Sequence, residues 1–202
     1  MLFRSDVFVV MPPHEFVTLE GSAMVDDPAV AARTIGVSAE QPHQVFFDSN
    51  AAIGARLGAV IAPLLTAGDK VLLYGELGAG KTTLARAIGE GLMADPPLAS
   101  PTFVLAAEHS GRLSITHIDA YRLDPESDPI ALGLIDPRID LGVAIVEWPE
   151  RLAWDPGESA LRIELRGIGD EREALLRAGP DGRIAAIAAA AVAAGLEARH
   201  DD

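Results

Sequence analysis

A three-layer α/β sandwich around a mixed, mainly parallel sheet is the fold class this sequence predicts, on three observations. The runs "KVLLY" and "GVAIVEW" are apolar without alternation, the pattern of strands covered on both faces in a parallel sheet. The first of them passes through a glycine-rich turn into a helical segment, "GELGAGKTTLARA". Near the end, "SALRIELRG" and "REALLRAG" alternate with period two, which predicts an antiparallel hairpin and makes the sheet mixed. The chain has 202 residues, of which 49% are hydrophobic, enough for the core of one good-sized domain.

Residues 1–43 mix Pro12, Pro13, Pro28 and Pro42 with Asp26 and Asp27 and show no sustained periodicity. They are expected to form a flexible N-terminal extension carrying one short helix in "DDPAVAARTIG", with Asp27 as cap and Pro28 in its first turn. Met11 and Met24 are alternative starts. The main domain is expected over 44–180. "VFF" begins it as a short strand. "DSNAAIGARLGAVIAPLL" follows as a helix capped by Asp48 or Ser49, with Ile53, Leu57, Val60 and Leu64 on one stripe. "KVLLY" is a central strand, and a helix runs from Lys81 to about Met93. "TFVLAAEH" and "RLSITHIDAY" are strands joined by Ser-Gly. "DPESDPIALGLID" is a loop with a short helix, "GVAIVEW" a buried strand, and "RLAW" a helical turn. The Ala-rich segment "RIAAIAAAAVAAGLEAR" belongs to a helix and tail over 181–202 that docks its Ile and Val on the sheet.

Composition narrows the function classes. The chain has no cysteine, which excludes disulfides and thiolate metal sites. No apolar run reaches the roughly 20 residues that span a bilayer. The beginning, with Asp6 and paired prolines, does not read as a signal peptide. A cytoplasmic protein is therefore expected. The formal charge is −14, from 30 acids against 16 bases, and Lys70 and Lys81 are the only lysines. Nucleic-acid binding relies on Lys and Arg neutralising phosphates, so composition alone reads this acidity as a means of solubility, and any RNA is expected to be reached through a partner.

Gly75-Glu76-Leu77-Gly78-Ala79-Gly80-Lys81-Thr82 matches G-x-x-x-x-G-K-[ST] at every fixed position, between an apolar strand and a helix. Glycines let backbone N–H groups turn inward around phosphate oxygens, and the following helix points its positive end at the same anion. Lys81 is placed to reach the β- and γ-phosphates, and Thr82 offers its hydroxyl to Mg²⁺. Thr83 faces the nucleotide or packs. The expected fold is thus P-loop NTPase-like. A GTPase of this kind carries an Asn-Lys-x-Asp base reader; with no lysine beyond Lys70 and Lys81, the nucleotide is expected to be ATP.

Such a site needs a carboxylate at the end of a neighbouring strand. Asp119 ends "LSITHID" and Glu147 ends "VAIVE". Asp119 suits a close metal contact or a turn cap. Glu147 binds the ion through water, orients or deprotonates the attacking water, or is simply an acid where a strand meets solvent. Thr102 in "SPTF" senses the γ-phosphate or begins a strand after the rigid Pro101. Trp148 covers the nucleotide, forms a partner surface or packs in the core. His109 and His117 are expected to be hydrogen-bonded structural groups, because no second His stands at ligand spacing.

"GELGAGKTTLARA", "SPTF", "HIDAYRL" and "VEWPERL", in this order and spacing, resemble the TsaE family, over about residues 49–178. TsaE is the bacterial ATPase subunit of the machinery that makes threonylcarbamoyladenosine in tRNA. The resemblance implies a compact P-loop ATPase with a mixed sheet. It would act on a TsaB–TsaD complex, with TsaD performing the transfer onto tRNA and weak ATP hydrolysis resetting the complex. For residues, it implies a metal role for Asp119, functional roles for Glu147 and Trp148, and nucleotide sensing by Thr102. It also draws the Ser49-led helix into the surroundings of the nucleotide. This chain departs from the family pattern at Ala120, where Leu is common, and at Pro129 after "YRL". A small-molecule kinase and a nucleotide-gated binding module with negligible turnover are the rival readings. A kinase would need an acceptor pocket and a lid, and no clear lid insert lies between Met93 and Glu147.

Overall fold

The computed structural model describes residues 44–50, 53–101, 103–135, 141–167, 171–178 and 183–199. The expectations for residues 1–43 and for Thr102 lie outside these. The described elements are β1 (Gln44–Asn50), α1 (Ile53–Ile61), β2 (Lys70–Tyr74), α2 (Lys81–Gly91), β3 (Ala106–His109), β4 (Ile115–Asp119), β5 (Val143–Glu147), β6 (Leu161–Arg166), β7 (Glu171–Arg177), α3 (Arg183–Ala193) and β8 (Glu197–Arg199). Short 3-10 turns follow α1 at Ala62–Leu64 and β5 at Pro149–Arg151. Among the described residues, no helix is long and apolar enough to cross a membrane.

The eight strands form one sheet in the order β3-β4-β5-β2-β6-β7-β1-β8. Its centre is parallel: β4 with β5, β5 with β2, and β2 with β6. Its flanks are antiparallel, at β3–β4 on one side and through β6–β7, β7–β1 and β1–β8 on the other. The expected hairpin is β6–β7, and the mixed sheet of an α/β fold is present. Alternation along the central strands divides the core. Val71, Leu73, Ile145, Ile163 and Leu165 face the helices, against Ile53, Leu57, Ile61, Leu84, Ile88 and Ile187. Leu72, Ala144, Val146 and Ile118 face the other side, where Ala120, Ile135, Leu152 and Ala160 cover them. Among the described residues, the cover on this side comes from turns and the short 3-10 turn at Pro149–Arg151.

Boundaries differ from the sequence reading in several places, among them the strand expected over "TFVLAAEH", which begins only at Ala106 after a turn in which Leu105 takes a φ of 66°. Asp48 and Ser49 do not cap a helix. They continue β1, opposite Glu173 and Arg172 of β7, and α1 starts only at Ile53. The segment is instead recruited into a seven-residue antiparallel ladder with β7, with β8 pairing Phe46–Asp48 on the other edge. The short helix expected in 124–135 is a set of turns. Asp128 accepts from the N–H groups of Ile130 and Ala131 at 2.9 and 3.2 Å, and Gly133 takes a positive φ of 68°, which ends the turn. After α3, Gly195 reverses the chain at φ 76° and Glu197–Arg199 joins the sheet beside β1. The Ala-rich segment docks Ile184 and Ile187 as expected, with Ala188 and Ala191 also buried, whereas Val192 is only half-buried, outside the core. An ion pair of 2.7 Å between Arg183 and Asp69 fastens its start.

Helix α1 lies close on α2 because Gly54 and Gly58 share one ridge. A Cβ at Gly58 would stand 2.5 Å from that of Ala87. This contact brings α1 alongside Thr83 and Leu84, in the first turn of α2, and so supports the loop before it.

Candidate functional site

The loop between β2 and α2 takes its path from three glycines. Gly75, Gly78 and Gly80 have φ of 132°, 82° and 106°, in a region where a side chain is strained. Gly75 is doubly constrained, since a Cβ there would overlap the carbonyl oxygen of Leu165 in β6. Glu76, Leu77 and Ala79 fill the turn between them, with the Ala79 N–H donating to the Glu76 carbonyl at 3.1 Å. Leu77 is exposed.

Lys81 opens α2 and turns back over the loop. Its ammonium donates to the carbonyls of Gly75 and Glu76 at 2.5 and 2.9 Å and lies 3.6 Å from the centroid of the Trp148 ring. Burial pushes its pKa below the usual lysine value, opposed by the negative charges of Glu147, Glu150, Asp119 and Glu76. Trp148 reaches Lys81 because its own backbone is left-handed, at φ 59° and ψ 48°. This conformation is uncommon for a bulky residue and costs on the order of 1–3 kcal/mol. The bond from its N–H to the Leu73 carbonyl, 3.1 Å, and the 3-10 turn after it hold it there. Tyr121 packs on the Trp148 ring at 5.0 Å between centroids.

The parallel register of β4 and β5 sets Asp119 directly beside Glu147. Both are buried, at 4% and 2% exposure, where an acid at a strand end would ordinarily meet water. Glu147 accepts from the Thr82 hydroxyl at 2.8 Å and bonds His117 Nε2 at 3.0 Å. Asp119 accepts from the Ser100 hydroxyl at 3.0 Å and from the Tyr121 N–H at 3.1 Å. Gly80, Lys81, Thr82, Thr83, Asp119, Glu147 and Trp148 line one cleft of about 370 Å³. Thr83 also packs its methyl beside Gly54. His117, which the sequence predicts only as a hydrogen-bonded structural group, joins the site, as do Ser100 and Tyr121. The signal for His117 was its place two residues before Asp119, on the same face of the strand. Nothing comparable in the sequence pointed to Ser100 or Tyr121.

Thr82 with two buried carboxylates is a hard-oxygen donor set, the chemistry that Mg²⁺ takes. Among the described residues no group of three or more His, Cys, Asp or Glu is placed to hold a metal alone. The set fits an ion that keeps waters and shares phosphate oxygens with a nucleotide. Arg122 and Arg151 are engaged outside the cleft: Arg122 lies 4.4 Å over the Phe103 ring, and Arg151 donates to the Leu123 carbonyl at 3.2 Å.

A family model described as Threonylcarbamoyl adenosine biosynthesis protein TsaE matches residues 48–174. The tRNA threonylcarbamoyladenosine biosynthesis protein TsaE of Streptomyces coelicolor is 43% identical over 118 residues, covering 56% of this chain and 80% of that protein. The protein of the same name from Treponema pallidum is 39% identical over 116 residues, covering 57% of this chain and 86% of its own length. The crystal structure of Bacillus subtilis YdiB superposes with a TM-score of 0.57 at 28% identity, covering 74% of this chain and 96% of YdiB. The match takes in β2, the glycine loop, α2 and the strands that carry Asp119 and Glu147, and the chain belongs to the TsaE family of tRNA threonylcarbamoyladenosine biosynthesis.

Proposed function

We propose that this chain binds ATP with Mg²⁺ on the loop Gly75–Thr82 and hydrolyses it slowly. On this reading it acts on a TsaB–TsaD complex in the cytoplasm, and the complex, not this chain, transfers the threonylcarbamoyl group to tRNA. The observation that carries the reading is the convergence of Lys81, Thr82, Asp119 and Glu147 in one cleft. When bound, Mg²⁺ supplies charge neutralisation at the β- and γ-phosphate oxygens. Thr82, Asp119 and Glu147 would hold it, directly or through water. Lys81 exchanges its loop carbonyls for phosphate oxygens, and the glycine loop offers its N–H groups to the same anion. Glu147 orients the attacking water or takes its proton, Trp148 covers the phosphate side, and Thr102 senses the γ-phosphate. Slow turnover is expected if neither Arg122, here stacked on Phe103, nor Arg151, here bonded to the Leu123 carbonyl, serves as a charge donor to the transition state.

Two features favour a partner. The charge of −14 keeps the chain off the tRNA backbone. Phe103 and Val104 are exposed large apolar residues on the segment that turns beside Asp119, joined to it by the bond from the Asp119 N–H to the Leu105 carbonyl at 2.9 Å. The test is ATP consumption with and without purified TsaB–TsaD, for wild type and Lys81→Ala. Stimulated hydrolysis that Lys81→Ala abolishes is the expected result. Phosphate appearing on a small metabolite without partners would replace this reading by a kinase.

A further inference from the structure

We infer that His117 is a positioning residue for the ATP site, fixing the Glu147 carboxylate so that its second oxygen faces Thr82; this rests on the ATPase reading above. His117 precedes Asp119 by two residues on β4, so both side chains leave the same face of the sheet, and Glu147 stands beside Asp119 on β5. The imidazole is fully buried. Its Nε2 lies 3.0 Å from Glu147 Oε1, while Oε2 accepts from the Thr82 hydroxyl at 2.8 Å. Nδ1 is buried and has no hydrogen-bond partner among the described residues. This selects the tautomer. With the proton on Nε2, the ring donates to Glu147 and leaves only an acceptor unmatched. With the proton on Nδ1, a donor would be orphaned and two lone pairs would meet at 3.0 Å. A histidine kept for packing alone would have its polar atoms satisfied anywhere; here the single matched atom is aimed at Glu147.

The two bonds to Glu147 differ in kind. Thr82 belongs to the phosphate loop's helix, and its hydroxyl can turn to another acceptor when the loop takes up phosphate. His117 is locked in the sheet and does not depend on the loop, so it sets the plane of the carboxylate whatever the loop is doing. The test compares wild type with His117→Gln, which restores a donor at the reach of Nε2, and His117→Phe, which keeps volume without a donor. His117→Asn, whose donor is too short, replaces Phe if that variant does not fold. His117→Phe should lower kcat by roughly 10–100-fold, as loss of a group orienting a metal-site ligand does, with KM for ATP nearly unchanged and most of the loss recovered in His117→Gln. In a Glu147→Gln background the Phe substitution should add little. Equal losses in Phe and Gln, wild-type kcat in Phe, or a full additional loss in the Glu147→Gln background would overturn the inference. The Mg²⁺-dependent gain in ATP affinity, measured by calorimetry, is the readout independent of turnover. It should shrink in Phe and return in Gln. If wild type binds ATP without hydrolysing it, the ATPase reading falls, and this binding series still decides His117. Absence of ATP binding by wild type would overturn both.

Discussion

Replacing Glu147 by Gln separates the chemistry of this carboxylate from its place in the fold. Glu147 is 2% exposed and receives two donors, His117 Nε2 and the Thr82 hydroxyl. Glutamine keeps the volume but offers one acceptor oxygen, so one bond to a charged group is lost, worth about 1.5–3 kcal/mol. Relief from burying a carboxylate offsets part of this, leaving a net stability loss of about 1–2 kcal/mol. At this chain length that lowers Tm by about 2–4 °C per kcal/mol. Alanine would leave both donors unpaired beside a cavity and confound the reading. The kinetic effect is larger. Losing a group that orients or deprotonates water lowers kcat by roughly 10²–10⁴, or about 3–5 kcal/mol on the barrier. ATP affinity should change only several-fold. Glu147 is the foremost charge opposing the downward shift of the Lys81 pKa, yet a bound triphosphate brings its own negative charge to the same ammonium. Single-turnover hydrolysis, equilibrium ATP binding and a thermal melt on the same preparation measure the three quantities. Unchanged hydrolysis at saturating ATP would refute the catalytic reasoning. An affinity loss as large as the loss in kcat/KM would make Glu147 a binding residue only.

Two further outcomes follow from packing and titration. Gly58→Ala brings a methyl to 2.5 Å from Ala87 Cβ, so α1 must move off α2; overpacking of this kind costs about 1–3 kcal/mol, against a helix-propensity gain of about 1 kcal/mol. The variant should melt below wild type, and an equal or higher Tm would show that the two helices part freely. Glu164 accepts from Arg166 at 2.8 Å, and this bond holds its carboxyl below the ordinary value of 4.5. A depressed folded-state pKa means the unfolded chain binds more protons, so the contribution is present above pH 4.5 and fades as pH falls through the folded value. Glu164→Gln should therefore flatten the acid side of a denaturant-midpoint profile below pH 4.5, and a profile parallel to wild type would remove this residue from the acid limb.

What was legible in the sequence was local. The glycine loop, Lys81 and Thr82 lie within one strand–turn–helix unit, and the spacing of glycines alone dictates its shape. What was not legible depended on pairing between distant segments. "DSN" carries three cap-forming residues, but β7 recruited them into a ladder, and β8 forms only because β1 offers its edge. Trp148 in a left-handed conformation has no sequence signal, since nothing but the surrounding fold requires it. His117 is hydrogen-bonded, as the lack of a second His at ligand spacing predicts, but the sequence does not name the partner. Strand alternation already placed it with Asp119, and only the register with β5 revealed Glu147 as its partner.

That register also explains why the convergent groups come from one half of the sheet. Parallel neighbours present all their C-terminal ends along one edge. Gly75 after β2, Asp119 at the end of β4 and Glu147 at the end of β5 therefore meet without any long loop. β2 is also where the chain diverges, to β5 and β4 on one side and β6 on the other, the place at which an open α/β sheet leaves a crevice. In the antiparallel flank of β7, β1 and β8, alternate strands end at opposite edges. Such strands cannot bring consecutive chain ends to a common ligand. Of these strands, β7 adds Ala174 and Leu176 to the hydrophobic face that seats α1 and α3, and α1 in turn supports the first turn of α2 behind Lys81.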